Sequence, residues 1–214
     1  NFSLEKDFFE KFVDKDPFYG FINDSFFIDI GIPYDYNRSQ LIFENKNNYK
    51  FKRALFLDRD GVINKLREGD YVKSWSEFEF KKDFISNISQ ISKSFDMIFV
   101  VTNQQCVEKG IISIDELNRI HAKMISEIKK HGVEIAGVYF CPHLETLNCN
   151  CRKPKPGMID QIKNDYPNID LIHSLMIGDS IGDMMMAKQR NVITVWVNSS
   201  EVKNEYSDYQ LQSL

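Results

Sequence analysis

The stretch ALFLDRDGVIN, residues 54–64, joins a short apolar run to a polar turn. Residues 54–57 read as a buried strand, and the glycine after the two aspartates allows a sharp turn. Similar runs recur downstream, so the predicted strands are residues 54–58, 97–103, 136–141, 174–179 and 193–198. Because helical periods separate these runs, the sequence predicts an α/β domain with a doubly wound, mainly parallel sheet.

Four helices are predicted between and after these strands. Their signals are an apolar stripe through residues 84–91, a capping box of Ser113 and Glu116, Pro156 in a first turn, and the segment SIGDMMMAKQR at 180–190. The first two are long enough to be the crossovers that parallel strands require.

Residues 1–50 read differently from the rest of the chain. SLEKDFFEKFV (3–13) predicts an amphipathic helix on Leu4, Phe8, Phe9 and Phe12. YGFINDSFFIDIG (19–31) predicts a hairpin that turns at Asn23 and Asp24, and Pro33 begins another helix. A polar, basic run at 44–52 reads as a linker. We therefore expect a small helix-hairpin-helix appendage at 1–50 and an α/β domain at 51–214.

Composition narrows the choice of partner. The 214 residues carry a net charge of −4 and 43% hydrophobic residues, which is typical of a globular protein and gives no basic field for nucleic acid. The sequence contains neither an apolar run that could span a bilayer nor the pattern of a signal peptide. We expect a cytoplasmic protein that binds neither nucleic acid nor membrane.

Asp58 and Asp60 stand two residues apart at the end of the first predicted strand. Two carboxylates so close repel each other unless a cation or a shared proton compensates them. Mg²⁺ favours oxygen ligands and often bridges carboxylates to a substrate phosphate, so this pair predicts a magnesium site. A solvated turn is the alternative for an isolated motif of this kind.

Two further strands also end in polar residues. Thr102 and Asn103 could hold a phosphoryl oxygen, although such residues also form turns and helix caps. Asp179 ends a later strand, and Asp183 follows four residues on, one turn along the same predicted helix face. The alternative for these aspartates is helix capping and a favourable charge at a helix N-terminus.

In this order and at these spacings, LDRDGVIN, VTN, RKPKPGM and MIGDSIGD resemble the motifs of the haloacid dehalogenase superfamily of phosphotransferases. The resemblance covers residues 53–198 and implies a Rossmann-like (HAD-like) sheet. The segments after Asn64 and Asn103 are too short for a large cap domain. We therefore expect an open site that is covered mainly by the loop around residues 65–75 and by the cysteine-containing loop at 141–151.

The resemblance also implies roles for individual residues. Asp58 would be the nucleophile that becomes an aspartyl phosphate, and Asp60 the general acid and base. Asp58, the backbone carbonyl of Asp60, and Asp179 would bind Mg²⁺, supported by Asp183. Thr102 and Asn103 would bind the phosphoryl group, and Lys153 would neutralise its charge.

Three of the four cysteines and one histidine lie within eleven residues: Cys141, His143, Cys149 and Cys151. Three thiolates and an imidazole make a closed tetrahedral zinc set with no position left for water, so this zinc would be structural. A disulfide is the alternative, but it would leave one thiol and the histidine unexplained. Cys106 reads as a small buried residue.

Arg152 and Lys153 follow the last cysteine directly. Ligation at both ends of the loop 141–151 would fix these two cations in front of a phosphate. Arg152 can bind a phosphate with two nitrogens, whereas Lys153 acts as a point charge. A solvated basic turn is the alternative.

Within the superfamily, CPH, CxC, RKPKPGM and GDYVKSWSEFEF resemble the D-glycero-D-manno-heptose-1,7-bisphosphate 7-phosphatases. This implies a phosphorylated sugar as substrate, in the synthesis of nucleotide-activated heptose for cell-envelope polysaccharide. Histidinol-phosphate phosphatases share the zinc loop and CRKPK and are the first alternative. Gln105 and Cys106 depart from the small residues common after TNQ, and Ser180 from a frequent lysine. A catalytically inactive, zinc-stabilised binding module is the alternative from another class.

Residues 19–40 are similar to the carboxyl-terminal end of a sugar-1-phosphate nucleotidyltransferase, in which the aspartate corresponding to Asp29 helps to bind a metal. That resemblance implies a nucleotidyltransferase domain in the same parent polypeptide. An aromatic hairpin with a purely structural role is the alternative.

Overall fold

The computed structural model describes residues 10–12, 15, 31, 33–44, 50–198 and 205–214. The chain divides into two compact units, Asn1–Tyr49 and Lys50–Leu214. In the first unit, the described helices are α1 (Glu10–Phe12) and α2 (Pro33–Glu44), so the helix predicted to begin at Pro33 is confirmed. The predicted hairpin, Asp29 and the start of the first predicted helix lie outside the described residues.

The second unit is built on a parallel sheet. Its described strands are β1 (Ala54–Leu57), β2 (Met97–Asn103), β3 (Gly137–Cys141), β4 (Leu175–Gly178), β5 (Ile193–Val197) and β6 (Tyr209–Leu211). They are ordered β3-β2-β1-β4-β5-β6, and every pairing is parallel. The five predicted strands are confirmed to within one residue at each end. The sequence did not predict β6, because its three residues lie at the sheet edge and are largely exposed.

Helices cover both faces of this sheet. The described helices are α3 (Lys82–Ser92), α4 (Ile114–Lys130), α5 (Gly157–Asp165) and α6 (Ile181–Lys188), with short 3-10 helices at Trp75–Glu77 and Glu145–Leu147. Leu55 and Leu57 pack with α3 and α4, whereas the alternate residues Ala54 and Phe56 pack with α5 and α6. This two-sided burial explains the continuous apolar runs of the strands and confirms the doubly wound fold.

The strand order places a crevice between β1 and β4. From β1 the chain adds β2 and then β3 on one side, and it returns to add β4 on the other side. Ligands of open α/β sheets bind outside the carboxyl ends of the strands at such a switch point. Asp58 follows β1 and Asp179 follows β4, so this edge is where the predicted site residues meet. Among the residues described, no helix is both long and apolar enough to cross a membrane.

Candidate active site

Three aspartates meet at the crevice. Asp58, Asp179 and Asp183 each offer a carboxylate oxygen, and these atoms lie within 4.8 Å of one another. The backbone N–H of Asp58 donates to the carbonyl of Ile177 at 3.0 Å, which fixes the end of β1 against β4. Asp58 and Asp183 are 125 positions apart in the sequence. The structure therefore brings together distant acids that the sequence motifs had assigned to one site.

Lys153 supplies the buried cation of this cluster. Its Nζ donates to Oδ1 of Asp58 at 2.7 Å and to Oδ1 of Asp183 at 2.5 Å. Its side chain is only 4% exposed. Burial alone would lower the pKa of Lys153, but the two carboxylates outweigh this and raise it, so the ammonium stays charged.

The carboxylates are electrostatically strained without a further cation. Burial, and then repulsion from Asp183, raise the pKa of Asp58 well above its ordinary value. The same two causes raise the pKa of Asp179 to about 6. Three carboxylates face one ammonium, so a divalent cation is the group that would balance their charge.

Asp183 has both oxygens engaged by the protein. Its Oδ2 accepts from the backbone N–H of Ser180 at 3.1 Å and from the Ser180 hydroxyl at 2.6 Å, and its Oδ1 accepts from Lys153. This capping box starts α6 at Ile181. The prediction that Asp179 and Asp183 share a helix face was wrong, because Asp179 precedes the cap. Asp183 is thus suited to support the cluster rather than to bind a ligand directly.

Gly61 lets the turn after β1 press against Asp179. Its φ of +88° lies in the left-handed region. A Cβ atom at this position would lie 1.8 Å from Oδ2 of Asp179. Only a glycine therefore allows the backbone of the DRDG turn and the Asp179 carboxylate to approach this closely.

Asp60 is held by three donors outside the acidic cluster. Nη2 of Arg59 bridges both of its oxygens, at 3.0 and 2.8 Å. Asn64 Nδ2 donates to Oδ1 at 2.9 Å, and Gln104 Nε2 donates to Oδ2 at 2.8 Å. Burial would raise the pKa of Asp60, but the Arg59 charge and these hydrogen bonds hold it below its ordinary value.

The sequence interpretation did not assign roles to these donors or to His121. Arg59 is 1% exposed, and its Nη1 lies 3.1 Å from Nε2 of His121 on α4. The one available signal was an arginine between two aspartates, two residues after a fully buried strand. Gln104 and Asn64 look like ordinary turn residues, and their contacts with Asp60 become evident only in the fold.

Thr102 and Asn103 lie at the end of β2, as predicted. Thr102 Oγ1 accepts from Gln104 Nε2 at 2.9 Å, which leaves its own proton available as a donor. Asn103 binds the backbone of Lys153 from both ends of its amide: Oδ1 accepts from the N–H at 3.1 Å, and Nδ2 donates to the carbonyl at 3.4 Å. In this structure Asn103 positions Lys153, whereas its phosphate-binding role remains a prediction.

The four predicted zinc ligands form one cluster. The sulfur atoms of Cys141, Cys149 and Cys151 lie 3.3–3.4 Å apart, and Nδ1 of His143 lies 3.2 Å from the Cys151 sulfur. Ligand atoms around a tetrahedral zinc with bonds of about 2.0–2.3 Å lie roughly 3.5–3.8 Å apart, close to these separations. The cysteines are free thiols, so the disulfide alternative is wrong for this structure.

Arg152 and Tyr71 are two further polar residues that the sequence associated with the site. Nη1 of Arg152 is buried without a hydrogen-bond partner, and its Nη2 lies 3.9 Å from Glu145. Tyr71, in the loop predicted to cover the site, accepts at its hydroxyl from Gln105 and from Lys109, each at 3.0 Å.

A cavity of about 890 Å³ opens beside Gly61 and Asp179, with Lys65, Lys81 and Lys82 in its lining. Glu68 and Asp83 also line it. The cavity therefore offers both cations and carboxylates that can accept hydrogen bonds from hydroxyl groups.

A family model described as polynucleotide kinase 3 phosphatase matches residues 35–211. The chain belongs to this phosphatase family. Named relatives are similar to this chain as well. The D-glycero-alpha-D-manno-heptose-1,7-bisphosphate 7-phosphatase of Mycobacterium tuberculosis is 38% identical over 134 residues, 63% of this chain and 70% of that protein. The D-glycero-beta-D-manno-heptose-1,7-bisphosphate 7-phosphatase of Pasteurella multocida is 33% identical over 174 residues, 76% of this chain and 93% of that protein.

A solved structure gives the same fold for this phosphatase. The D,D-heptose 1,7-bisphosphate phosphatase from B. bronchiseptica, complexed with magnesium and phosphate, superposes with a TM-score of 0.67 at 27% identity, covering 75% of this chain and 93% of that one. The resemblance to the haloacid dehalogenase superfamily and to its heptose bisphosphate phosphatases is confirmed.

Proposed function

We propose that this protein is a Mg²⁺-dependent phosphatase that removes the 7-phosphate of D-glycero-D-manno-heptose 1,7-bisphosphate through an aspartyl phosphate. The observation that carries the proposal is the buried pair of Asp58 and Lys153, 2.7 Å apart, at the edge of the sheet where Asp60 and Asp179 also lie. The names of the relatives support the sugar.

The residues present fit a magnesium ion. Asp58 and Asp179 offer carboxylate oxygens with raised pKa values, which indicates that a positive charge is needed between them. With the Asp60 carbonyl they would hold the ion, while Asp183 and Lys153 support them. Bound there, Mg²⁺ would offset negative charge on the nucleophile and the phosphate.

The side chains supply the chemistry in two displacements. Asp60 is ionised in the free protein because its pKa is low, and it takes up a proton when the negative charge of the substrate phosphate arrives beside it. An oxygen of Asp58 then attacks phosphorus as the P–O bond to the sugar breaks, and this proton passes from Asp60 to the leaving sugar oxygen. Asp60 then accepts a proton from water, whose oxygen attacks phosphorus and releases Asp58 and inorganic phosphate. Lys153 neutralises charge throughout, because phosphoryl transfer depends mainly on positioning and charge compensation.

We also propose a structural zinc on Cys141, His143, Cys149 and Cys151. Their mutual distances support it, and so does their place directly before Arg152 and Lys153. Arg152, which has one buried nitrogen without a hydrogen-bond partner, would then bind a phosphate of the substrate. Reduced thiols for such a site fit a cytoplasmic location.

The sugar assignment has two competitors. The family description names a phosphatase of polynucleotide kinase, but a net charge of −4 gives no general attraction for a polyanion. Histidinol-phosphate phosphatases share the zinc-loop motif with this chain. The relatives from M. tuberculosis and P. multocida, however, are named for heptose bisphosphates. These relatives include both the alpha and the beta anomer, so either anomer is a candidate.

For residues 1–50 we propose a separate unit that accompanies a sugar-1-phosphate nucleotidyltransferase domain in the parent polypeptide. The similarity of residues 19–40 to the end of such enzymes supports this. A heptose 1-phosphate would be the product of one activity and the substrate of the other. Sequencing the complete gene would test the proposal, and a reading frame without such a domain would contradict it.

Phosphate release from a substrate panel tests the proposed function. The panel contains both heptose 1,7-bisphosphate anomers, histidinol phosphate and a 3′-phosphorylated oligonucleotide, each with and without Mg²⁺. We expect Mg²⁺-dependent turnover of one heptose anomer, with loss in Asp58→Asn. Asp115→Asn, an exposed change at the start of α4, is the matched control and should retain activity. Preference for another ester would refute the sugar assignment, and activity in Asp58→Asn would refute the nucleophile.

A further inference from the structure

Arg59 connects Asp60 to His121, a buried histidine of α4. One terminal nitrogen, Nη2, bridges both oxygens of Asp60, and the other, Nη1, lies 3.1 Å from Nε2 of His121. Arg59 and His121 are 1% and 4% exposed. The guanidinium therefore lies between a carboxylate and an imidazole, in surroundings closed to solvent.

The chemistry of the pair fixes the state of His121. A guanidinium nitrogen can donate a hydrogen bond but cannot accept one. Nε2 of His121 must therefore be the acceptor, and the ring proton must be on Nδ1. Burial, and then the Arg59 charge, lower the pKa of His121 to about 3, so the ring is neutral. The ring also packs against Phe140, with centroids 5.5 Å apart, which limits its rotation. His121 is a fixed acceptor behind Arg59.

We propose that His121 and Arg59 are positioning residues that aim the Asp60 carboxylate at the leaving oxygen of the substrate. The inference rests on the proposed function, because it gives Asp60 the role of general acid. With Nη1 fastened by His121, the guanidinium plane is set, and Nη2 sets the orientation of Asp60. Without the acceptor, Arg59 can turn and Asp60 loses one of its three supports.

The reaction itself supplies a specific readout. As Asp58 forms its bond to phosphorus, a sugar alkoxide needs the proton of Asp60 to leave, whereas p-nitrophenolate is a stable anion that leaves without one. Misplacing Asp60 should therefore impair the first displacement for a sugar phosphate and spare it for p-nitrophenyl phosphate. A loss of general packing would affect both esters alike.

The experiment compares kcat/KM on the heptose bisphosphate and on p-nitrophenyl phosphate, because this ratio reports the first displacement. In His121→Leu, which removes the acceptor at similar volume, we expect a loss of at least about tenfold on the sugar ester and less than about threefold on p-nitrophenyl phosphate. His121→Gln, whose amide oxygen can replace Nε2, should restore the sugar ester activity. His131→Leu, the same change at the exposed end of α4, is the matched control.

Arg59→Lys keeps the proposal testable if His121→Leu does not fold. Lysine retains the charge but has no second nitrogen for His121, so the same selective loss is expected. Equal losses on both esters, or no loss, would overturn the positioning role while leaving the phosphatase intact. A wild-type protein inactive on both esters would overturn the proposed function, and the inference with it.

Discussion

Lys153 Nζ lies 2.7 Å from Oδ1 of Asp58 and also donates to Asp183, in a place where the lysine and both acids are almost closed to solvent. Asn103 fixes the backbone of this lysine, and the cluster of predicted zinc ligands ends two residues before it. The cation that faces the proposed nucleophile is thus held by β2, by the loop before α5, and by the cap of α6. Contacts from distant segments therefore hold this one charge in place beside Asp58.

Replacing Lys153 with Met should impair both catalysis and stability. We expect kcat to fall about 100-fold or more, because charge compensation at the phosphate is lost. Without Mg²⁺, unfolding should cost about 3 kcal/mol less, since Asp58 and Asp183 lose their buried partner. Phosphate release with Mg²⁺ measures the first effect, and urea unfolding in Mg²⁺-free buffer without a chelator, which leaves the proposed zinc in place, measures the second. Lys123→Met, an exposed change on α4, is the control, and equal stability of the two variants would contradict the electrostatic argument.

Alanine substitutions at two glycines can separate the effect of backbone strain from the effect of crowding Asp179, the proposed Mg²⁺ ligand. Gly61 and Gly69 both have positive φ values, +88° and +70°, so alanine should destabilise each by about 1 kcal/mol or more. Only at Gly61 would the new Cβ displace Asp179, because nothing lies within 4 Å of the position at Gly69. We expect Gly61→Ala to need much more Mg²⁺ for half-maximal activity. An unchanged Mg²⁺ dependence would show that Asp179 does not need its present position.

The sequence predicted best what depends on local patterns. Buried parallel strands read as continuous apolar runs, so β1 to β5 were placed to within a residue. The cysteine and histidine cluster of residues 141–151 was found because it lies within one short loop. The helix at Pro33 was found from its first residue. Motif order then assigned Asp58, Asp179 and Lys153 to one edge of the sheet.

What the sequence could not predict depends on contacts between distant segments. Arg59 and His121 are 62 positions apart, and no periodicity links them. The cap at Ser180, which places Asp179 outside α6, depends on a reciprocal contact with Asp183 rather than on helix spacing. Strand β6 exists because Tyr209–Leu211 pairs with β5, although its own residues carry no strand signal.

Removing one thiol tests the zinc proposal. Cys149→Ser should lower the zinc content from about one equivalent to nearly none, because a closed site needs all four ligands. The thermal midpoint should fall, and activity with it, since Arg152 and Lys153 follow the loop directly. Metal analysis after gel filtration, unfolding and phosphate release measure these effects. Cys106→Ala, a buried cysteine outside the cluster, should retain zinc, and a wild-type protein without zinc would contradict the proposal.

His121 should make the folded protein sensitive to acid in a predictable window. Its pKa is about 3 when folded but about 6.5 when unfolded, so the unfolded chain binds a proton more readily between these values. Stability is therefore unaffected by this group above about pH 6.5 and is lost as the pH falls toward about 3. From pH 7.5 to 5 the loss should be about 2 kcal/mol. Urea unfolding at both pH values, compared with His121→Gln, isolates it, because other groups cancel in the difference. Parallel pH dependence in the two proteins would mean that the imidazole is not held neutral behind Arg59.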